Sequence, residues 1–165
     1  MTTVAREPQA IWAFAEHEHL DLARGIDHIH DIACEIGRRP TPELSVHVLG
    51  ILQWSEQVLS PHMAWEDGWL FPEIDARAGT TWATRFARFD HRQIREMLGQ
   101  IRIDQRSLAE DRSIDRHAGL RCHLFGLEAL LRAHIEREQR FLIPVLDEVP
   151  AAVEAGALLA TDRGR

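Results

Sequence analysis

The chain predicts an all-α fold, an antiparallel up-down-up-down four-helix bundle made of two repeated helical hairpins. Two observations carry this. Long stretches place apolar residues at alternating spacings of three and four, the period of one helix face. The second half of the chain also repeats the first. HMAWEDGWLFP, from His62 to Pro72, returns as HIEREQRFLIP from His134 to Pro144, so that His62, Glu66, Leu70 and Pro72 pair with His134, Glu138, Leu142 and Pro144 at an offset of 72 residues. The same offset sets Ala15, His19, Leu22, Ile26 and Ile29 on Ala87, His91, Ile94, Leu98 and Ile101.

The first helix is expected over residues 9–38, with Trp12, Ala15, His19, Leu22, Ile26, Ile29, Ala33 and Ile36 forming its seam. Gly37 and the run Arg38-Arg39-Pro40-Thr41-Pro42 stop it, because proline and the residue before it disfavour helix. The second helix is expected over 42–71, with Val48, Ile51, Ser55, Val58, His62, Glu66 and Trp69 inward and Pro61 distorting it just before His62. Pro72, Gly79 and Thr80-Thr81 mark the next turn. The third helix, over 81–105, repeats the first seam through Ala87, His91, Ile94, Leu98 and Ile101. The fourth, over 113–148, turns Leu120, His123, Leu127, Leu130, His134, Glu138 and Phe141 inward, and residues 150–165 form a tail. Helices of roughly 25 residues, each ~38 Å long and joined by short loops, pack antiparallel.

At 165 residues the chain suits a single domain with a core that needs no disulfide staple. A net charge of −7 argues against nucleic acid or an anionic membrane as partner, since both require a basic face. A small molecule, a metal or another protein fits better. Residues 1–8 lack the apolar core of a signal peptide, no run reaches the roughly 18 apolar residues of a membrane span, and Cys34 and Cys122 read as free thiols. The expected location is therefore the cytoplasm. Tyrosine is absent, which excludes chemistry that needs a tyrosyl group.

Histidine and glutamate four apart on a helix lie ~6 Å apart along the axis and reach one point, so each His-x-x-x-Glu is a two-ligand clamp. A twofold relation between the hairpins brings His19, His62, His91 and His134 to one level, with Glu66 and Glu138 facing each other. Two buried carboxylates without a partner are costly, and a cation relieves that cost. Two histidines and two bridging carboxylates per ion leave positions for a small molecule. Imidazole and carboxylate without thiolate suit iron first, with manganese or zinc as the other choices. Trp69 and Phe141, seven residues beyond His62 and His134, are expected to line the pocket as an apolar lid.

Single histidines usually have blander roles, and it is the repeat that distinguishes these four. His17 competes with His19, but its helical row of Leu20, Arg24, Asp27 and Asp31 is mostly charged, which reads as a solvated face. Glu16-x-x-His19 resembles half of a ferritin-like pairing whose second half is missing. His30 and His123 are expected to share a level ~16 Å from the clamps, within reach of each other and beside Cys34 and Cys122. Trp12, Trp54, Trp65 and Trp82 read as packing residues. Asp67 and Asp90 are left as candidates for an additional ligand.

The order His19, His62-x-x-x-Glu66 running into Leu-Phe-Pro, His91, and His134-x-x-x-Glu138 running into Ile-Pro resembles the hemerythrin-like (HHE) cation-binding family over nearly residues 10–148. The resemblance implies a four-helix bundle holding a non-heme di-iron centre on His19, His62, Glu66, His91, His134 and Glu138. Oxygen-carrying hemerythrins have a further histidine one turn after the third-helix ligand, where this chain has Arg95, so the likeness is to the broader family. It implies a protein that binds or reduces dioxygen, hydrogen peroxide or nitric oxide, with catalase-like peroxide breakdown as one activity. The alternative it implies is a module for oxygen, redox or iron sensing or iron handling.

Overall fold

The computed structural model describes the backbone of residues 8–108 and 114–146, and the side chains of residues 19–108 and 117–146. The side chains of Trp12, Ala15, Glu16 and His17, and the tail, lie outside the described residues. Helix α1 is Pro8–Glu35. Leu22, Ile26, Ile29 and Ala33 are buried along it, the spacing that a 3.6-residue turn requires for one inward face, and Ile36 is buried just beyond its end. It ends where Gly37 takes a φ of 84°, a left-handed conformation that costs glycine little, while the Arg38 and Arg39 amides donate to the Glu35 carbonyl.

Helix α2 runs over residues 41–78, further than the expected 42–71, because proline does not end it. Its α-helical pieces Thr41–Trp54, Ser60–Trp65 and Phe71–Ala78 are joined by two π turns, Ser55–Leu59 and Glu66–Leu70. Pro61 and Pro72 each sit in the first turn after a π turn. The distortion expected at Pro61 is thus a π turn, and Pro72 marks a second. Pro72 has no amide to return to the Asp67 carbonyl in the wide register, and Arg88 Nη1 donates to that carbonyl instead at 3.2 Å. The helix stops at Gly79, φ 66°, with the Thr80 amide donating to the Asp75 carbonyl.

Helix α3 is Arg85–Ser107. Helix α4 comprises Ile114–Arg137 and a third π turn, Glu138–Leu142, and runs into a 3₁₀ turn, Ile143–Leu146, that contains Pro144. Packing follows a ring in which α1 meets α2 and α4, and α3 meets the same two helices. Most of the core is one apolar cluster filling the middle and one end of this ring, from Leu22 and Ile36 to Leu120 and Leu131. A smaller cluster of Leu70, Phe71, Ile74, Ala87, Leu142 and Leu146 caps the opposite end. Buried histidines and glutamates form a polar layer between the two. Among the described residues no helix is long and apolar enough to cross a membrane.

Candidate metal centre

Each helix supplies the polar layer from its buried face: His19 from α1, His62 and Glu66 from α2, His91 from α3, His134 and Glu138 from α4. All six are buried, the two glutamates completely. They fall into two groups that share both carboxylates, His19–His62–Glu66–Glu138 and Glu66–His91–His134–Glu138, with candidate ligand atoms within 4.8 Å of one another in each.

The sharing is resolved atom by atom. Glu66 Oε1 faces His62 Nε2 at 2.8 Å, while its Oε2 faces His91 Nε2 at 3.1 Å and His134 Nε2 at 3.8 Å. Glu138 Oε2 faces His19 Nε2 at 3.4 Å and its Oε1 faces His134 Nε2 at 3.5 Å. Each carboxylate therefore directs one oxygen at each histidine pair. Neither oxygen of Glu138 makes a hydrogen bond, and the Nε2 atoms of His91 and His134 stand 3.2 Å apart. Imidazole nitrogens and carboxylate oxygens converge here, buried and incompletely hydrogen-bonded, which is a donor set suited to metal ions.

Electrostatics describe the same frustration. Burial pushes the Glu138 carboxyl well above the ordinary range, and the neighbouring Glu66 charge pushes it further. Burial also raises Glu66, but hydrogen bonds from His134, His62 and His91 overcome it and hold that carboxyl well below its ordinary value. The two carboxyls are thus pushed in opposite directions, as like charges in close contact demand. Burial and then the adjacent His62 push His19 down to about 4. Burial pulls His134 the same way, yet its contacts to Asp90 and Glu66 prevail and raise it to about 10.

Behind the ring, other polar groups hold the outer nitrogens. Asp67 Oδ1 lies 3.0 Å from His91 Nδ1, and Arg95 Nη2 donates to Asp67 Oδ2 at 2.9 Å. Asp90 Oδ2 lies 3.6 Å from His134 Nδ1 and accepts a hydrogen bond from Arg137. The Gln139 amide nitrogen is 3.3 Å from His19 Nδ1. Asp67 and Asp90 therefore address the far side of imidazoles and stand outside both groups of converging atoms. Their adjacency to Glu66 and His91 drew notice to them in the sequence. Gln139 went unnoticed, because nothing local links it to His19, 120 residues away.

The lid expected of Trp69 and Phe141 is not there. Phe141 is 67 % exposed and Trp69 is 38 % exposed, stacked on Trp65 with ring centroids 5.5 Å apart. Their following neighbours Leu70 and Leu142 are buried instead, and Phe71 stacks on the His91 ring at 5.2 Å. The reason is the pair of π turns that begin at Glu66 and Glu138. Each admits one extra residue, so the position above His62 or His134 is reached eight residues on rather than seven. Prolines shortly after both glutamates were the available signal. His30 and His123 do not meet either, since His30 Nδ1 pairs with Glu128 at 2.9 Å and His123 Nδ1 with Asp104 at 2.6 Å.

An all-helical bundle whose four helices converge four imidazoles on two shared, buried carboxylates defines a protein with a histidine–carboxylate cation site. The family model described as the hemerythrin HHE cation binding domain matches residues 11–154, nearly the whole chain, and the protein belongs to that family. No curated protein and no solved structure matches it.

Proposed function

We propose that the paired clusters hold two iron ions and that the protein binds or reduces a small oxidant: dioxygen, hydrogen peroxide or nitric oxide. His19 and His62 would hold one ion and His91 and His134 the other, with Glu66 and Glu138 bridging. The observation that carries this reading is the division of each glutamate's oxygens between the two histidine pairs. When bound, an iron pair supplies two linked redox centres with open positions for a small ligand.

The chain's own groups set the conditions around those positions. Leu70, Leu142 and Phe71 close the site from the bundle end and keep bulk water from it. Asp67 fixes the His91 ring and favours the tautomer whose Nε2 lone pair points inward, and the Asp90 carboxylate faces His134 Nδ1 at 3.6 Å. Arg95, at the place of a further imidazole, is occupied with Asp67. Four protein donors per ion leave more open positions than an oxygen carrier keeps, which favours reaction with peroxide over reversible carriage. The thiols of Cys34 and Cys122 are free, which suits the reducing cytoplasm.

One feature favours a second reading as a redox or iron sensor. Glu66 and Glu138 are each the first residue of a π turn, so a shift of either carboxylate is coupled to the register of the helix behind it.

Metal analysis of the purified protein by mass spectrometry, with absorption spectra before and after peroxide, tests both. Close to two irons per chain with bands that respond to peroxide is the expected result, followed by measurable turnover. Stoichiometric iron with a change in helix content and no turnover favours the sensor. If anaerobic ferrous reconstitution loads no metal, the di-iron reading fails.

A further inference from the structure

His30 and Cys34 stand one turn apart on α1, away from the buried clusters, and neither serves the candidate metal centre. The Cys34 sulfur lies 3.6 Å from His30 Nε2, and His30 Nδ1 lies 2.9 Å from Glu128 Oε2 on α4. Glu128 is held in turn by Arg132, whose Nε donates to its other oxygen at 3.0 Å and whose Nη2 donates to Asp27 at 2.7 Å. An ionised carboxylate only accepts, so the hydrogen of the neutral imidazole sits on Nδ1 and Nε2 keeps its lone pair toward the sulfur. Phe125 meets the same ring edge to face, with centroids 5.6 Å apart, and fixes it from another side.

Thiol, imidazole and carboxylate thus form a chain, with a proton acceptor at the sulfur and an anchor behind the acceptor, the arrangement that activates a weak nucleophile. The two ring nitrogens face different partners, so the three groups do not converge on one point; among the described residues only the buried clusters gather three such ligand atoms within 4.8 Å. Cys34 is partly buried and the His30 side chain is 48 % exposed, which leaves the pair open to a molecule as small as hydrogen peroxide. Cys122 supplies an internal reference. It is the more exposed thiol, but its chain neighbour His123 is turned to Asp104 at 2.6 Å, and among the described residues Cys122 has no imidazole in contact.

We propose that Cys34 is a nucleophilic thiol that reduces hydrogen peroxide, with His30 as its base and Glu128 as the positioning residue behind that base. The sulfur attacks one peroxide oxygen, and an S–O bond forms as the O–O bond breaks. The thiol proton passes to His30 Nε2 and from there to the departing hydroxide. Sulfur loses two electrons and the peroxide gains them, so the products are the Cys34 sulfenic acid and one water. A small thiol then condenses with the sulfenic acid, giving a mixed disulfide and a second water, and a further small thiol frees Cys34 by forming its own disulfide. No step involves the buried clusters, so the proposal stands apart from the two-metal reading.

The experiment treats the full chain, as purified, with hydrogen peroxide at pH 7 in the presence of a dione that traps sulfenic acid, and follows the labelling of each cysteine by peptide mass spectrometry. Both thiols are read in one sample, so peroxide consumed elsewhere in the protein leaves their ratio unchanged. Wild type is expected to label Cys34 about ten-fold faster than Cys122, against the order of exposure. His30→Ala is expected to slow Cys34 by about ten-fold and to leave Cys122 as it was. Were His30 only a cover for the sulfur, its removal would speed Cys34 instead. Glu128→Gln keeps the shape of the side chain and is expected to slow Cys34 too, by less than His30→Ala, so it carries the same test if the alanine variant fails to fold. Labelling of Cys34 no faster than that of Cys122 in wild type, or a Cys34 rate unchanged or raised in a folded variant, would overturn the proposal.

Discussion

His30 and His123, about three helical turns from the paired clusters, each meet a single carboxylate, and each of those carboxylates has a further protein partner. Glu128 accepts from His30 and, at 3.0 Å, from Arg132, which also reaches Asp27 at 2.7 Å. Asp104 accepts from His123 and from Gln100. At the clusters, by contrast, two carboxylates are shared among four imidazoles, and Glu138 has no hydrogen bond. The residue types are the same at both places. What differs is that the His30 and His123 side chains are partly exposed and each carboxylate there serves one imidazole, whereas the clusters are buried and four imidazoles share two carboxylates, one of which makes no hydrogen bond. A histidine–carboxylate pair thus stands without a metal when a further protein donor such as Arg132 or Gln100 completes it, and is a candidate metal site when burial and sharing leave it incomplete.

The sharpest way to break this contrast is to remove a bridging carboxylate. Glu138→Leu is expected to abolish two-metal loading and yet to leave the metal-free protein as stable as wild type or about 1 kcal/mol more stable, because it deletes a buried carboxyl that makes no hydrogen bond. Metal counting and chemical denaturation of the metal-free form check the pair of outcomes; a large loss of metal-free stability would mean that Glu138 is satisfied by the protein after all. Chelation of loaded wild type should come next in size, lowering stability by about 3 kcal/mol at a free metal concentration a hundred times the dissociation constant. The variant Glu128→Gln, altered only at the other end, should show the same chelator-induced drop in Tm.

The π-turn register separates a third pair. Leu142→Ala should cost about 2–4 kcal/mol through a cavity in the cap cluster, whereas Phe141→Ala, one residue away and exposed, should stay within about 0.5 kcal/mol. Equal losses in denaturant titrations would argue against the wide turn at Glu138.

The smallest effect belongs to Glu128. Burial raises its carboxyl, but His30 and Arg132 outweigh this and hold it below the ordinary 4.5. A depressed folded value means that its contribution is present above about pH 4.5 and is lost as pH falls through the folded value. Glu128→Gln is therefore expected to cost about 0.5–1 kcal/mol at pH 7 and to narrow its deficit against wild type in acid, as stability curves at pH 7 and pH 3 would record. A deficit that grows in acid would contradict the sign.

Much of this protein was legible in its residues because the signals are local or repeated. Helical period placed Leu22, Ile26, Ile29, Ile94 and Ile101 on buried faces, and the 72-residue repeat singled out the six polar residues that the fold brings together. The misplaced lid shows the limit of that reasoning. A uniform 3.6-residue turn carries His62 to Trp69 and His134 to Phe141, and a single wide turn after each glutamate transfers the inward position to Leu70 and Leu142. Pro72 read as a helix end for a related reason, since a π turn before it and Arg88 on the Asp67 carbonyl let the helix continue to Ala78.

By itself, then, the sequence determined the four helices, their amphipathic faces and the identity of the six converging side chains, because each depends on spacing along one chain or on its repetition. Only the tertiary structure decided which imidazoles share which carboxylate oxygen, that Asp67, Asp90 and Gln139 stand behind the histidines, and that a groove between α1 and α4 is lined by His19. Those relations join residues as many as 120 positions apart, and no periodicity along one helix encodes how far a neighbouring helix is rotated against it.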